Sequence, residues 1–144
     1  MDMEQLIPKL SGDAVRYADR ISDVYDVSYA RLMGFEIDTI DTENVSLYLD
    51  IRPEHINSRG YVHGAVIYGL IDHTLAFAAN MTEESVGQNV SIIYHRPMRE
   101  GRLITKSRLI NTSRSLKVYE ICAYCDGKLI ASAICTAFRL GDAK

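Results

Sequence analysis

Val45, Leu47, Leu49 and Ile51 alternate with Ser46, Tyr48, Asp50 and Arg52, the two-residue period of a half-buried strand. Phe35, Ile37 and Ile40 begin another strand just before it, with Asp41–Asn44 as the turn between. Pro53 opens a loop over residues 53–62 that contains Gly60. The period then changes, and His63–Asn80 reads as one long helix, apolar almost all round. Four strands follow. Gln88–Tyr94 stops before Pro97, and Gly101–Ile110 comes next. Leu116–Cys125 alternates up to Asp126-Gly127, a two-residue hairpin signal. Lys128–Leu140 is rich in small and β-branched residues, and Gly141–Lys144 reads as a loose tail. A helix with apolar residues on nearly every side must be covered on most sides. One antiparallel sheet wrapped around it does this, which gives an α+β fold.

Residues 1–34 read as a helical leader packed on that domain, and residues 35–144 as the domain itself, a single unit overall. Leu6, Ile7 and Leu10 form an apolar cluster cut by Pro8. Ser11 or Asp13 can cap a second helix carrying Val15, Ala18 and Ile21. Ser28–Met33 is a further short helix, with Gly34 as its C-cap. No catalytic motif falls in this stretch, and a helical cover over the sheet or a packing arm is its expected role.

The 144 residues suit one domain, and 47% hydrophobic with 24% charged residues supports a full core. A net charge of −3, with no Lys/Arg stripe, argues against nucleic acid as the partner. Residues 65–79 are too short, and too polar at Asp72-His73, to span a membrane. Cys122 and Cys125 form a lone CxxC within a strand, where residues three apart point to opposite faces. With Cys135 they read as small buried hydrophobes, so no metal is expected. An odd cysteine count and no signal peptide point to the cytoplasm.

The chemistry concentrates in Asn57-Ser-Arg-Gly60-Tyr-Val-His63-Gly64, which runs into the apolar helix and its one carboxylate, Asp72. A helix mouth presents unpaired N–H groups, and an acid plus free donors can attack a carbonyl. Gly64 and Asp72 are eight residues apart, about 12 Å along a helix axis, so one carbon cannot touch both in the same chain. A two-fold dimer with antiparallel helices would bring each Asp72 toward the other chain's Gly64. Ala65, Tyr68, Gly69, Ala76 and Ala79 share the face of Asp72 and are mostly small. They leave room for a ligand, or they simply fit the sheet above them. Asp72 itself has other readings open: pairing with His73 or Tyr68, or exposure at a subunit boundary.

The spacing Asn57-x-x-Gly60-x-x-His63-Gly64-Ala65, with Asp72 nine residues after the histidine, resembles the hotdog-fold acyl-CoA thioesterases of the PaaI-like, phenylacetate-pathway family. Tyr29-Ala-Arg-Leu-Met-Gly-Phe35, Tyr94-His-Arg-Pro97 and Gly101-Arg-Leu103 extend the likeness over about residues 28–140. The resemblance implies a sheet wrapped round the long helix, and dimers or dimer-based tetramers with sites between subunits. It implies that Asp72 directs water at the thioester carbonyl as nucleophile or general base. The Gly64 N–H of the other subunit would polarise the carbonyl oxygen. Asn57 would hold the thioester or the water, and His63 would shape the loop near the carbonyl. Substrate contacts are expected at Gly60, Ala65 and Tyr68, and at Gln88 and Asn89, where some members carry Ser or Thr. Arg96 and Arg114, with Lys117, are the expected phosphate-binding cations. Coenzyme A enters as part of the substrate, and no separate cofactor is expected. The chain departs from the family pattern at Ala65, at His73 and in Ser85–Asn89, which bears on the substrate.

Two rival functions are a non-catalytic acyl-CoA-binding hotdog module and a hotdog enoyl-CoA hydratase. The second rests on Asp50-x-x-Pro53-x-His55, where Arg52 replaces the Asn of the hydratase signature.

Overall fold

The computed structural model describes residues 1–142. Three short helices come first: α1 (Met3–Leu6), α2 (Ala18–Tyr25) and α3 (Ser28–Met33). Strands β1 (Glu36–Ile40) and β2 (Val45–Asp50) lead to the long helix α4 (Gly64–Asn80). Strands β3 (Glu83–Tyr94), β4 (Arg102–Thr112), β5 (Leu116–Cys125) and β6 (Lys128–Asp142) complete the chain. All six strands form one antiparallel sheet in the order β1-β2-β4-β5-β6-β3. The expected fold, a sheet curved around a central helix behind a helical leader, is the one observed.

The curvature has a visible cause. β2 and β4 pair only from Tyr48–Asp50 to Arg102–Ile104. Beyond that the strands splay, and side-chain hydroxyls take over from backbone carbonyls. Leu47 N–H donates to Thr105 Oγ1 at 3.3 Å, and Val45 N–H to Ser107 Oγ at 3.0 Å. The Thr105 hydroxyl also meets Thr74 of α4 at 2.6 Å. Buried amides thus stay satisfied while the sheet opens around the helix. β6 turns Ala131, Ala133, Cys135 and Ala137, all small and buried, toward the core. Leu70, Ile71, Leu75 and Phe77 of α4 are at most 2% exposed. Each such burial is worth about 1.5–3 kcal/mol.

The leader packs through Leu6, Leu10, Ala14, Ala18 and Ile21, a spacing that keeps one face on the core. Arg20 closes the other end of α4, donating from Nε and Nη2 to Asn80 O at 2.9 and 2.7 Å. A guanidinium there satisfies an orphan carbonyl and sits at the negative end of the helix dipole. Gly34 caps α3 at φ +86°, as its position after Met33 predicted.

Several boundaries differ from the sequence reading. Residues 7–9 and 12–17 are 3-10 turns, and neither Ser11 nor Asp13 caps α2 by its side chain. The three-residue period of that turn rotates Val15 outward, and Ile7 is exposed as well. β3 starts at Glu83, five residues earlier than the apolar pattern indicated. Gly141 and Asp142 continue β6 rather than forming a tail; residues 143–144 of that expected tail lie outside the described residues. No helix among the described residues is long and apolar enough to cross a membrane. Cys125 and Cys135 are buried and Cys122 is half-buried.

Candidate active site

His63 is the N-cap of α4, at φ −63° and ψ 135°. Its ring Nδ1 accepts the Ala65 N–H at 3.1 Å, and its carbonyl accepts those of Val66 and Ile67 at 2.9 and 3.3 Å. A ring that accepts at Nδ1 carries its proton on Nε2, which stays available as a donor. Three of the first four amides of the helix are therefore spent on His63. The Gly64 N–H is the one without a partner among the described residues. It opens on a cleft of about 370 Å³ whose walls include Asn57, Arg59, Tyr61, Tyr94 and Arg96. The Tyr94 hydroxyl donates to Gly64 O at 3.0 Å, and a methyl added at Gly64 would lie 3.4 Å from it. Burial, helped by nearby Tyr68, pushes the Tyr94 phenol above its ordinary pKa.

The loop that brings Asn57 to this mouth is held by its own amides. Asn57 Oδ1 accepts from Arg59 and Tyr61 N–H at 2.9 and 3.1 Å, which leaves the side-chain NH2 end free of partners among the described residues. Gly60 turns the loop at φ +84°, and a methyl there would stand 3.1 Å from Arg99 Nη1. His55 ties the loop down. It is 2% exposed, its Nδ1 accepts Arg52 N–H, its Nε2 bonds Met33 O, and its carbonyl accepts His63 N–H. Both ring nitrogens are occupied inside the fold. Asp50 is likewise engaged, by Arg102 at 2.7 and 3.0 Å, which holds its carboxyl below the usual range. The pair that suggested a hydratase is structural.

Asp72 lies two turns along α4, in a separate small concavity with Leu75, Ala76, Ala79 and Gly87. It makes no hydrogen bond or ion pair among the described residues, so pairing with His73 or Tyr68 does not occur. Its side chain reaches the surface, yet the apolar walls desolvate the carboxylate and raise its pKa. His73 points the other way, into the aromatic set of Phe35 and Phe77. Burial first, and then Arg31, lowers its pKa to about 4, so it is neutral at neutral pH. The open face of α4 is Ala65, Tyr68 and Asp72, with Ala76 half-buried. Gly69 and Ala79, expected on this face, are covered: Gly69 by Tyr29 of the leader, Ala79 within the core.

The structure thus brings Asn57, Gly60, His63, Gly64 and Arg96 to one mouth, and places Asp72 apart from them. Gln88 and Asn89 lie on β3 between the two, at a bulge between Gly87 and Asn89, and both are exposed. Thr136 Oγ1 donates to Gln88 Oε1 at 3.2 Å, and Ser91 Oγ to Asn89 Oδ1 at 2.9 Å. Arg114 sits in the β4–β5 turn, at the Val86 end of the sheet and away from Tyr94. Lys117 is engaged with Glu83 at 3.0 Å and largely covered, so it is not a free cation. Arg59 and Tyr61 are site features that spacing did not single out, although both fall inside the Asn57–Gly64 motif. Arg99 forms a basic spot with Arg96 in the sequence, and Tyr94 opens Tyr94-His-Arg-Pro97, but neither pattern shows its contact with the mouth.

A family model described as the thioesterase superfamily matches residues 59–131, half of the chain and the stretch that carries Asp72, the open strand and the mouth apart from Asn57. The chain belongs to the thioesterase superfamily. Its resemblance to PaaI-like proteins stands beside that. A variant of the phenylacetic acid degradation protein PaaI from Thermus thermophilus is 25% identical, with a TM-score of 0.76 over 79% of this chain and 100% of that one. The PaaI protein of the E. coli phenylacetic acid degradation operon covers 96% of this thioesterase and 98% of its own chain. At 20% identity and a TM-score of 0.82, it shares the fold, leader included. A curated relative from Deinococcus radiodurans is 27% identical over 96 residues, and the match spans 66% of its length.

Proposed function

We propose that this protein hydrolyses acyl-CoA thioesters as a dimer, with each site assembled from the mouth of one α4 and the Asp72 of the other. The observation that carries the reading is the single unspent amide at Gly64, paired with an unpartnered carboxylate two turns away. The oxygen of a thioester carbonyl accepts the Gly64 N–H, reinforced by the helix dipole behind it. Asp72 of the second copy takes a proton from water as it attacks the carbonyl carbon. The tetrahedral adduct collapses by breaking the C–S bond, and a thiolate leaves without needing an acid. His63 Nε2–H and the Asn57 amide are donors beside the reacting carbonyl. Arg59, Arg96 and Arg99, all exposed around the cleft, fit the phosphates of coenzyme A.

The open edge of the sheet supports the dimer. β3 pairs with β6 on one side only, and it runs past both half-sites. Tyr94 covers Gly64, and Gly87 lies against Asp72. An antiparallel β3–β3 pair centred near Val90 sets Val86 of one copy opposite Tyr94 of the other. That brings each mouth to the other copy's carboxylate.

The test is hydrolysis of a panel of acyl-CoAs, followed by thiol release, with wild type and Asp72→Asn. Wild type turns over at least one member. Asp72→Asn loses activity by about a hundredfold to ten-thousandfold, the worth of a general base, while remaining folded and dimeric. Unchanged hydrolysis in Asp72→Asn sinks the mechanism. Tight binding of acyl-CoA with silence across the panel favours the binding-module reading.

A further inference from the structure

We infer that Tyr29, a leader residue, is the acyl-selecting wall of this site, limiting the length of the uncharged acyl group that fits beside Asp72. The inference rests on the thioesterase reading above.

The leader delivers Tyr29 on a fixed platform. Ala30 next to it is fully buried, and the α3 carbonyls of Leu32 and Met33 accept from Arg52 Nη2 at 3.0 Å each. His55 holds Met33 O at 2.9 Å from the same loop that carries Asn57. On this platform Tyr29 packs edge-on against Phe35 at 5.8 Å between ring centroids. It is nevertheless 52% exposed. A methyl group at Gly69 would stand 2.6 Å from the Tyr29 hydroxyl oxygen, so the phenol lies directly on the helix backbone. Only glycine admits it there. Gly69 precedes Asp72 by three residues, about 4.5 Å along the axis and some 60° around it. The phenol therefore borders the open face of α4 one turn before the carboxylate. Its packing partner Phe35 is apolar and buried, and the open face of α4 beside the phenol presents Ala65 and Tyr68, neither of them charged. That surface suits an uncharged acyl chain and ends it early.

The experiment measures kcat and KM for straight-chain acyl-CoAs from acetyl to palmitoyl, with inhibition by free coenzyme A as a reference. Tyr29→Ala shifts the preferred length upward, raising the long-to-short ratio of kcat/KM by about tenfold, the scale of one methylene. The inhibition constant for free coenzyme A does not move. Tyr29→Phe keeps the wild-type profile. Gly69→Ala displaces the phenol and shifts the profile too, but adds nothing in the Tyr29→Ala background. A Tyr29→Ala enzyme that changes every substrate by one common factor, or none at all, overturns the wall while leaving the thioesterase reading intact. A wild type that hydrolyses no acyl-CoA overturns both.

Discussion

Along the β1 edge of the sheet, the leader takes up what the strand leaves unpaired. Lys9 Nζ donates to Ile37 O at 2.9 Å, Ser11 N–H donates to Ile40 O at 3.0 Å, and Leu10 bridges to Ile40 in parallel. Along the β3 edge only the first residues are met, Arg20 Nη2 donating to Glu83 O at 3.3 Å and Ser85 N–H to Asn80 Oδ1 at 2.8 Å; beyond Ser85 no strand or leader segment among the described residues does the same. That edge is twelve residues long, carries charge only at Glu83 and Glu84, and exposes Val86, Ile93 and Tyr94. Proteins blunt a free edge with lysine, proline or a short strand, and β3 has none of these beyond its bulge. One edge is finished within the chain, and the other is left in a state that suits a second copy. The open edge is also the one that touches both half-sites. The difference between the edges therefore separates what stabilises the fold from what builds the site.

That contrast can be broken most severely at Ile93, which is 62% exposed on β3. Ile93→Lys puts a charge in place of an exposed apolar side chain within the edge-to-edge pair. It is expected to yield monomers by light scattering and to cost more than about a hundredfold in thioesterase activity, since each chain alone lacks half a site. A fully active monomer would remove the distinction between the edges. A second effect belongs to the sealed side. His73 has a folded pKa of about 4 against the ordinary 6.5, so between these values the unfolded chain binds more protons. Stability is held above pH 6.5 and falls as the pH drops toward 4, by roughly 3 kcal/mol. Urea melts across that range measure it. His73→Leu removes this part of the slope and, because Nε2 has no partner among the described residues, does so at little cost at neutral pH. The smallest effect is at the β1 seal. Lys9→Ala loses about 1 kcal/mol of stability, with oligomeric state and turnover unchanged.

The elements were legible wherever one face meets the core and the other meets water. β5 alternates from Val118 to Cys125 and was bounded by its pattern and the Asp126-Gly127 turn, both in left-handed backbone. β3 was read short because its first residues are charged. Glu83 is buried there by Lys117 and Arg139, partners far along the chain that no local pattern reveals. The helix start was placed one residue early, since His63 caps with a ring nitrogen where Ser, Thr, Asp or Asn is the usual signal. The Gly64–Asp72 separation followed from helix rise alone. The flanks of α4 did not. Helical spacing set Gly69 beside Asp72, but only tertiary packing decides that Tyr29 lies on it. Tyr94 over Gly64 is non-local in the same way.

The central claim, that one chain supplies Gly64 and the other Asp72, is tested most directly by mixing two dead variants. Asp72→Asn removes the base. Gly64→Pro removes the amide and keeps the helix start, because proline suits the first position of a helix and His63 already has the extended backbone that precedes one. Each variant alone is expected to be inactive. Co-expressed in equal amounts, half of the dimers are mixed and each holds one intact site of two, so activity returns to about a quarter of wild type. A mixture as inactive as its parents, though mixed dimers form, would place both groups in a single chain and contradict the account.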